Sequence, residues 1–406
     1  MRGAIMDSRD YIVLEDLYGA HNYHPLDAVL TKGKGIWVWD VEGQKYLDFL
    51  SGYSAVNQGH CHPRIIKVLQ SQAKRLTLTS RAFRNDQWPL LARELCELTG
   101  YEMVLPMNSG AESVETAIKA ARKWAYQKKG IPHDEAEIIA CANNFHGRTV
   151  TLISFSTEPL YRNDFGPFTP GFVVIPYGDI EALRKAINPN TAALLVEPIQ
   201  AESGILIPPA GYLKKAKELC TENNILFIAD EIQTGLGRTG KIFACDHEDV
   251  KADMVVIGKS LGGGFYPISA TLSSRDILGV FKPGEHGSTF GGNPLACAVA
   301  RESLRVIKEE KLIENAAEQG SYFLEKLKKI KSKFIKEVRG RGLLVGIDLR
   351  PEAGGARRFC EELKKEGLLC KETHENVIRF APPLIIKPKE LNWALKRVKN
   401  VFKRLS

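Results

Sequence analysis

The chain has 406 residues and a formal net charge of +8, with 44% hydrophobic, 26% charged and 8% aromatic residues. That length calls for two lobes or one large domain with a satellite, and the average composition excludes a disulfide mini-scaffold, a collagen, a coiled coil and a disordered polymer. No apolar stretch approaches the roughly 20 residues of a membrane-spanning helix.

The charge is uneven: from residue 301 onward there are 26 Lys and Arg against 15 Asp and Glu. These lysines alternate with apolar positions, as over residues 322–330, the pattern of a solvated amphipathic helix and not of a nucleic-acid footprint. A basic field of this kind suits small anionic substrates.

In chain order, residues 1–16 mix Arg2 and Arg9 with Asp7, Asp10, Glu15 and Asp16. They offer neither an apolar core nor an acid-free Arg-rich stretch, so no secretory or organellar signal is expected and the location is expected to be cytoplasmic. Residues 35–48 read as a hairpin with a polar, Gly-containing turn. Residues 137–140, 151–154, 172–175, 192–196, 225–229 and 254–257 are short β-rich apolar runs separated by helical stretches. Continuous apolarity marks strands buried on both faces, which predicts an α/β large domain with a mostly parallel sheet wrapped by helices.

A long helix over 294–307, a strand pair over 337–349 broken by Gly340, Gly342 and Gly346, a helix over 357–366 and a strand over 377–380 predict a smaller α+β lobe. The expected division is 1–50 as an N-terminal segment packing with the small lobe, 51–293 as the large domain and 294–406 as the small one. The eight cysteines include no CxxC spacing. Reduced, mostly buried thiols are expected, and no metal site.

The densest chemical signal lies between residues 226 and 270. The apolar run Phe227-Ile228-Ala229 leads directly into Asp230-Glu231-Ile232-Gln233-Thr234-Gly235, placing a carboxylate at the carboxyl end of a buried strand, where open α/β sheets bind ligands. The run Val255-Val256-Ile257-Gly258 delivers Lys259 ahead of Ser260-Leu261-Gly262-Gly263-Gly264. Each residue alone reads as a helix cap or an ion-pair partner. Together, with a glycine run that admits close backbone approach, they supply the two groups pyridoxal phosphate chemistry needs: an amine for the Schiff base and a carboxylate that keeps the pyridine nitrogen protonated.

The segment from Asp230 through Gly235-Leu236-Gly237-Arg238-Thr239-Gly240, followed by Gly258-Lys259-Ser260-Leu261-Gly262-Gly263-Gly264, resembles the signature of the class III aminotransferases, fold-type I pyridoxal-phosphate enzymes. The resemblance extends along essentially the whole chain. It implies a seven-stranded sheet in the large domain, an N-terminal arm, and a homodimer, or a higher oligomer, with the active site at the interface. Lys259 is then the Schiff-base lysine and proton shuttle, and Asp230 the pyridinium partner.

Asn108-Ser109-Gly110-Ala111-Glu112 opens a helix with Val114, Ala117, Ile118 and Ala121 facing inward. Its free N–H groups, at Ser109, Gly110 and Ala111, can hold a phosphate. The resemblance further implies that Phe145 stacks on the pyridine ring, that Gln233 meets the ring hydroxyl, and that Thr289 reaches the phosphate of the neighbouring subunit.

Within the family, Tyr18-Gly19-Ala20-His21-Asn22-Tyr23-His24-Pro25 and the segment from Ser51 to His60, which carries Tyr53, resemble the branch that transfers the δ-amine of ornithine to 2-oxoglutarate. The resemblance implies that Arg379 takes the α-carboxylate of glutamate and that Glu202 covers Arg379 while ornithine is bound, since an unpaired charge beside the ornithine chain is costly in a dry site. Arg148 and Tyr23 are expected to hold ornithine's α-carboxylate and α-amine, a guanidinium fork suiting a carboxylate. Small-for-small departures from the family pattern stand at Ala201 and Ser203 and at Ser109 and Ala111. Acetylornithine and 4-aminobutyrate transamination are the alternatives within the enzyme class. A non-catalytic binding protein is the alternative outside it. No GxGxxG follows a first strand, which disfavours a nicotinamide dehydrogenase.

Overall fold

The computed structural model describes residues 6–405; residues 1–5, Arg2 of the N-terminal stretch among them, and residue 406 lie outside it. A helix, Ser8–Tyr18, is capped by Asp7, whose side chain accepts the N–H groups of Arg9 and Asp10. Strands β1 (Leu30–Lys34), β2 (Trp37–Asp40) and β3 (Lys45–Asp48) form an antiparallel meander. The last two are the expected hairpin. The exposed, lysine-rich β1 carries no apolar alternation to announce it.

The large sheet comprises β4 (Met103–Met107), β5 (Glu137–Cys141), β6 (Phe172–Ile175), β7 (Thr191–Val196), β8 (Leu226–Asp230), β9 (Met254–Ile257) and β10 (Ser269–Ser273). Its order is β4-β10-β9-β8-β7-β5-β6. Strands β5 to β9 pair in parallel, while β10 runs antiparallel to both β4 and β9. Every residue of β7 to β10 is buried, as continuous apolar runs require of strands covered by helices on both faces.

One expected strand is corrected: residues 151–154 belong to a helical turn, Val150–Ile153, and its end. Leu152 and Ile153 are buried but Val150 is 52% exposed, so the run is covered on one side only. The places flanking β5 are taken by β6 and β7. A short apolar run does not by its pattern separate a buried strand from a buried helical turn, and here tertiary packing overrides β-branched propensity.

Strands β11 (Ile335–Arg341), β12 (Leu344–Leu349), β13 (Leu368–Leu369), β14 (Lys371–Thr373) and β15 (Val377–Phe380) complete the chain. An antiparallel sheet runs in the order β11-β12-β15-β14. In contrast β13 runs parallel to β3, with Leu368 opposite Leu47, so the N-terminal meander and the C-terminal region share one sheet. Phe49, Phe323 and Phe380 pack edge to face at centroid distances of 5.6, 5.9 and 5.8 Å, fastening the same two regions through side chains. The last helix, Pro388–Leu405, buries Leu391, Ala394, Leu395, Val398, Val401 and Phe402, the stripe of an amphipathic helix. All eight cysteines are free and six are buried. Among the described residues no helix is long and apolar enough to cross a membrane.

Candidate active site

Because β8 and β9 are parallel neighbours, the residues that end them emerge on one edge of the sheet. Asp230 closes β8, and Lys259 follows β9 after a single glycine. Both line one cavity of about 150 Å³, together with Gly110, Phe145, Glu197 and Gln233. Lys259 has φ +44°, a left-handed backbone for a residue with a side chain. Such strain costs of order 1–3 kcal/mol and persists where the surroundings over-determine it. Burial, above all, lowers the Lys259 pKa, with the Arg379 guanidinium helping and the Glu202 and Asp230 carboxylates opposing. More of the amine is therefore held in its nucleophilic, uncharged form.

Asp230 is fixed from two directions. His146 Nδ1 lies 2.7 Å from Oδ2, and Oδ1 accepts the Ile232 N–H at 3.1 Å. Since a carboxylate only accepts, the imidazole donates from Nδ1. A second buried acid, Glu197, follows β7 just as Asp230 ends β8. Its Oε2 accepts the Phe145 N–H at 2.9 Å, which sets the aromatic residue at the cavity wall. Burial first and the Asp230 charge second hold the Glu197 carboxyl well above the usual carboxylate range.

The helix Gly110–Trp124 points its N-terminus at the cavity, and Val114, Ala117, Ile118 and Ala121 face the core as expected. Its capping box is self-contained: Glu112 Oε2 accepts the Ser109 and Asn108 N–H groups at 2.7 and 3.1 Å, and Ser109 Oγ accepts the Glu112 N–H at 3.2 Å. The amides of Gly110 and Ala111, which line the cavity, remain for an anion. A Cβ at Gly110 would stand 2.9 Å from Ile232 Cδ1, so a larger residue here would push the Ile232 side chain aside. Gln233 spends Oε1 on Arg379 at 2.9 Å, while its buried Nε2 has no partner among the described residues. A spare donor, an anion-binding helix end, an aromatic wall, a fixed carboxylate and a buried amine around one cavity fit pyridoxal phosphate. Ser109 itself is exposed and committed to Glu112, and Thr289 is exposed and outside the cavity lining of this single chain.

Behind the cavity-lining Gln233, Arg379 on β15 is fully buried; its Nη1 donates to Glu202 Oε1 at 2.9 Å. Its guanidinium carbon lies 5.3 Å from the Tyr53 ring centroid. Tyr53 sits in a turn where Ser51, Gly52, Tyr53 and Ser54 have φ of +51°, +53°, +58° and +72°. Asp48 Oδ1 accepts the Leu50 and Ser51 N–H groups at 2.8 and 2.9 Å, and its Oδ2 lies 2.7 Å from His60 Nε2. Burial raises the Tyr53 pKa, with the Glu202 carboxylate adding to it. Arg148 lies against three rings, 4.6 Å from Tyr161, 5.8 Å from Tyr23 and 5.9 Å from Phe145.

Sequence reasoning passes over His146, Glu197 and Tyr161. Glu197 carries the same mark as Asp230, an acid straight after a buried strand. Nothing in the sequence around His146 or Tyr161 distinguishes them from ordinary packing residues.

The chain matches the aminotransferase class-III family over residues 18–402. An ornithine aminotransferase of Geobacillus sp. (strain WCH70) is 62% identical over 393 residues, covering 97% of this chain and 98% of its own. The solved ornithine aminotransferase from Toxoplasma gondii, described with pyridoxal phosphate at partial occupancy in its active site, superimposes with a TM-score of 0.98 at 49% identity, covering 99% of this chain and 95% of that one. The acetylornithine aminotransferase from Elizabethkingia anophelis superimposes with a TM-score of 0.89 at 49% identity, covering 98% of this chain and all of its own. With Lys259 and Asp230 on one cavity and the family matched from near its first residue to near its last, the chain belongs to the class-III aminotransferases, enzymes that depend on pyridoxal phosphate.

Proposed function

We propose that the protein is an ornithine δ-aminotransferase working in two half-reactions in turn. L-Ornithine gives up its δ-amine and leaves as L-glutamate 5-semialdehyde, which cyclises to 1-pyrroline-5-carboxylate; 2-oxoglutarate takes the amine and leaves as L-glutamate. The observation that carries this reading is the Glu202–Arg379 ion pair beside Lys259. Ornithine presents a terminal amine on an uncharged chain, and a bare guanidinium next to that chain would be an unpaired charge in a closed site. Glutamate presents an α-carboxylate, for which Arg379 is the matching fork once Glu202 withdraws.

Pyridoxal phosphate, when bound, supplies the carbonyl that exchanges for the amine and the ring that withdraws electrons. The chain's own residues do the rest. Lys259 Nζ would hold the cofactor and carry the proton, and Asp230, braced by His146, would keep the pyridine nitrogen protonated. Phe145 would support the ring face and Gln233 Nε2 would donate to the ring oxygen. The Gly110 and Ala111 amides of the first turn would take the phosphate, with Ser109 shaping that turn through its capping bonds to Glu112, joined by Thr289 from the partner subunit of a homodimer. At the far end Arg148 and Tyr23 hold ornithine's α-carboxylate and α-amine, while Tyr53 backs Arg379. Residues 51–293 are assigned to the cofactor-binding domain, 294–406 to the small domain and 1–50 to an N-terminal segment, a reading supported by the parallel pairing of β3 with β13. Eight free cysteines, six of them buried, support a cytoplasmic location, where thiols stay reduced.

Acetylornithine is the rival donor, because an acetylornithine aminotransferase shares the fold at 49% identity. A phenol at Tyr23, close to Arg148, favours a free α-amine. The test is to compare ornithine, acetylornithine and 4-aminobutyrate in parallel half-reactions, following the cofactor's absorbance. Ornithine is expected to give the highest kcat/KM, and equal or better turnover of acetylornithine overturns the assignment.

A further inference from the structure

Three residues of the small sheet lie in one cross-strand row: Arg339 on β11 faces Gly346 on β12, and Gly346 faces Arg379 on β15. Residues paired in this way present their side chains on the same face. Two guanidinium groups therefore flank a gap where Gly346 has no side chain. A Cβ there would stand 3.1 Å from Val377 Cγ1, 3.3 Å from Ile205 Cδ1 and 3.6 Å from the Gly204 carbonyl oxygen. The loop that occupies the gap is the one carrying Glu202.

The loop is gripped along its backbone. Arg339 Nε donates to the Gly204 and Ile205 carbonyls at 2.9 and 3.2 Å, and Nη2 donates to Gly204 at 2.7 Å. Its Nη1 donates to Asp348 at 2.9 Å and to Glu337 at 2.7 Å, so the guanidinium is fully engaged. Thr373 Oγ1 donates to the Glu202 carbonyl. Inside this grip Ile205 has φ +57° and is fully buried. A β-branched residue in the left-handed region is an outlier that relaxes unless its surroundings hold it.

We propose that Arg339 is the positioning residue that keeps Glu202 on Arg379, and thereby sets the balance between the cationic amine donor and the dicarboxylic one. The inference rests on the reading of Glu202 as a gate. Losing the Arg339 fork lets the strained loop relax, and the Glu202 carboxylate leaves Arg379. Ornithine, which needs the covered state, suffers; glutamate, which needs Arg379 free, does not.

The experiment compares single-turnover half-reactions of holoenzyme with ornithine and with glutamate for Arg339→Gln, Arg339→Lys, Glu202→Ala and the Arg339→Gln/Glu202→Ala double variant. Arg339→Gln is expected to lower ornithine kcat/KM about tenfold or more, the scale of lost charged hydrogen bonds, and to change the glutamate value less than about twofold. Arg339→Lys, which keeps the charge facing Asp348 but not the fork, falls between, and it carries the test alone should the Gln variant not fold. In the Glu202→Ala background the Arg339 change adds nothing further to the ornithine-to-glutamate ratio, because the two residues act on one contact. If Glu202→Ala shifts that ratio while neither Arg339 variant does, or if the two effects simply multiply, the positioning role is wrong. If Glu202→Ala itself leaves the ratio unchanged, the gate reading fails and takes this inference with it.

Discussion

Replacing Glu202 by alanine tests the substrate argument at its centre. Arg379 is fully buried, and without Glu202 its remaining side-chain hydrogen bond is to Gln233. Deleting one member of a buried pair costs about 3–5 kcal/mol, since the other charge is left uncompensated. The Glu202 side chain keeps 24% of its surface exposed, so water reaches the pair, and about 2–3 kcal/mol is the expected cost in the ornithine complex after that screening. At about 1.4 kcal/mol per tenfold, ornithine kcat/KM falls roughly 30- to 150-fold. On the proposed reading glutamate carries its own α-carboxylate to Arg379 and replaces the lost partner, so its half-reaction is expected to change by less than about threefold. Rapid mixing of the holoenzyme with each amine, read from the cofactor's absorbance, separates the two. Equal losses for ornithine and glutamate would refute the reasoning.

Two further outcomes are expected. Glu231, buried between Thr234 and the Cys245 N–H, has its pKa raised by burial to about 7. The folded state then holds a proton the unfolded chain releases at about 4.5, so the contribution of Glu231 to stability is full below that pH and is lost, by about 3 kcal/mol, as pH rises through 7. Glu231→Gln should remove this slope in melts taken between pH 4.5 and 8, and an unchanged slope would exclude Glu231 as its source. His146→Ala should lower kcat about 10- to 100-fold with ornithine and glutamate alike, because the Asp230 it braces is proposed to serve the cofactor ring in both half-reactions. A change in the ratio of the two rates would place His146 with the substrate instead.

The catalytic edge of the large sheet was readable because a doubly covered strand has no reason to end in a charge, and Asp230 and Lys259 both do. The motif around them carried the rest by resemblance. Residues 151–154 mislead for the opposite reason: a short run such as Thr-Leu-Ile-Ser looks alike in a strand and in a helical turn, and which one forms is decided by the neighbours of β5. His146 was opaque because its meaning lies in a contact spanning 84 positions, and Arg339 because its work is done by facing Gly346 across a ladder. Local pattern does not encode such meetings. The short β13, two residues laid beside β3, gains its identity wholly from that pairing.

The corner at residues 51–54 has a wider consequence. A left-handed backbone costs an L-residue about 1–2 kcal/mol, and three of these four residues are not glycine. The corner is held by Asp48 grasping two amides and leaning on His60, neither of which needs to meet a substrate. A change at either anchor lets the corner unwind to its ordinary hand and swings the Tyr53 phenol off Arg379. Substrate preference in this enzyme can thus drift through positions well behind the pocket wall, without one lining residue being altered.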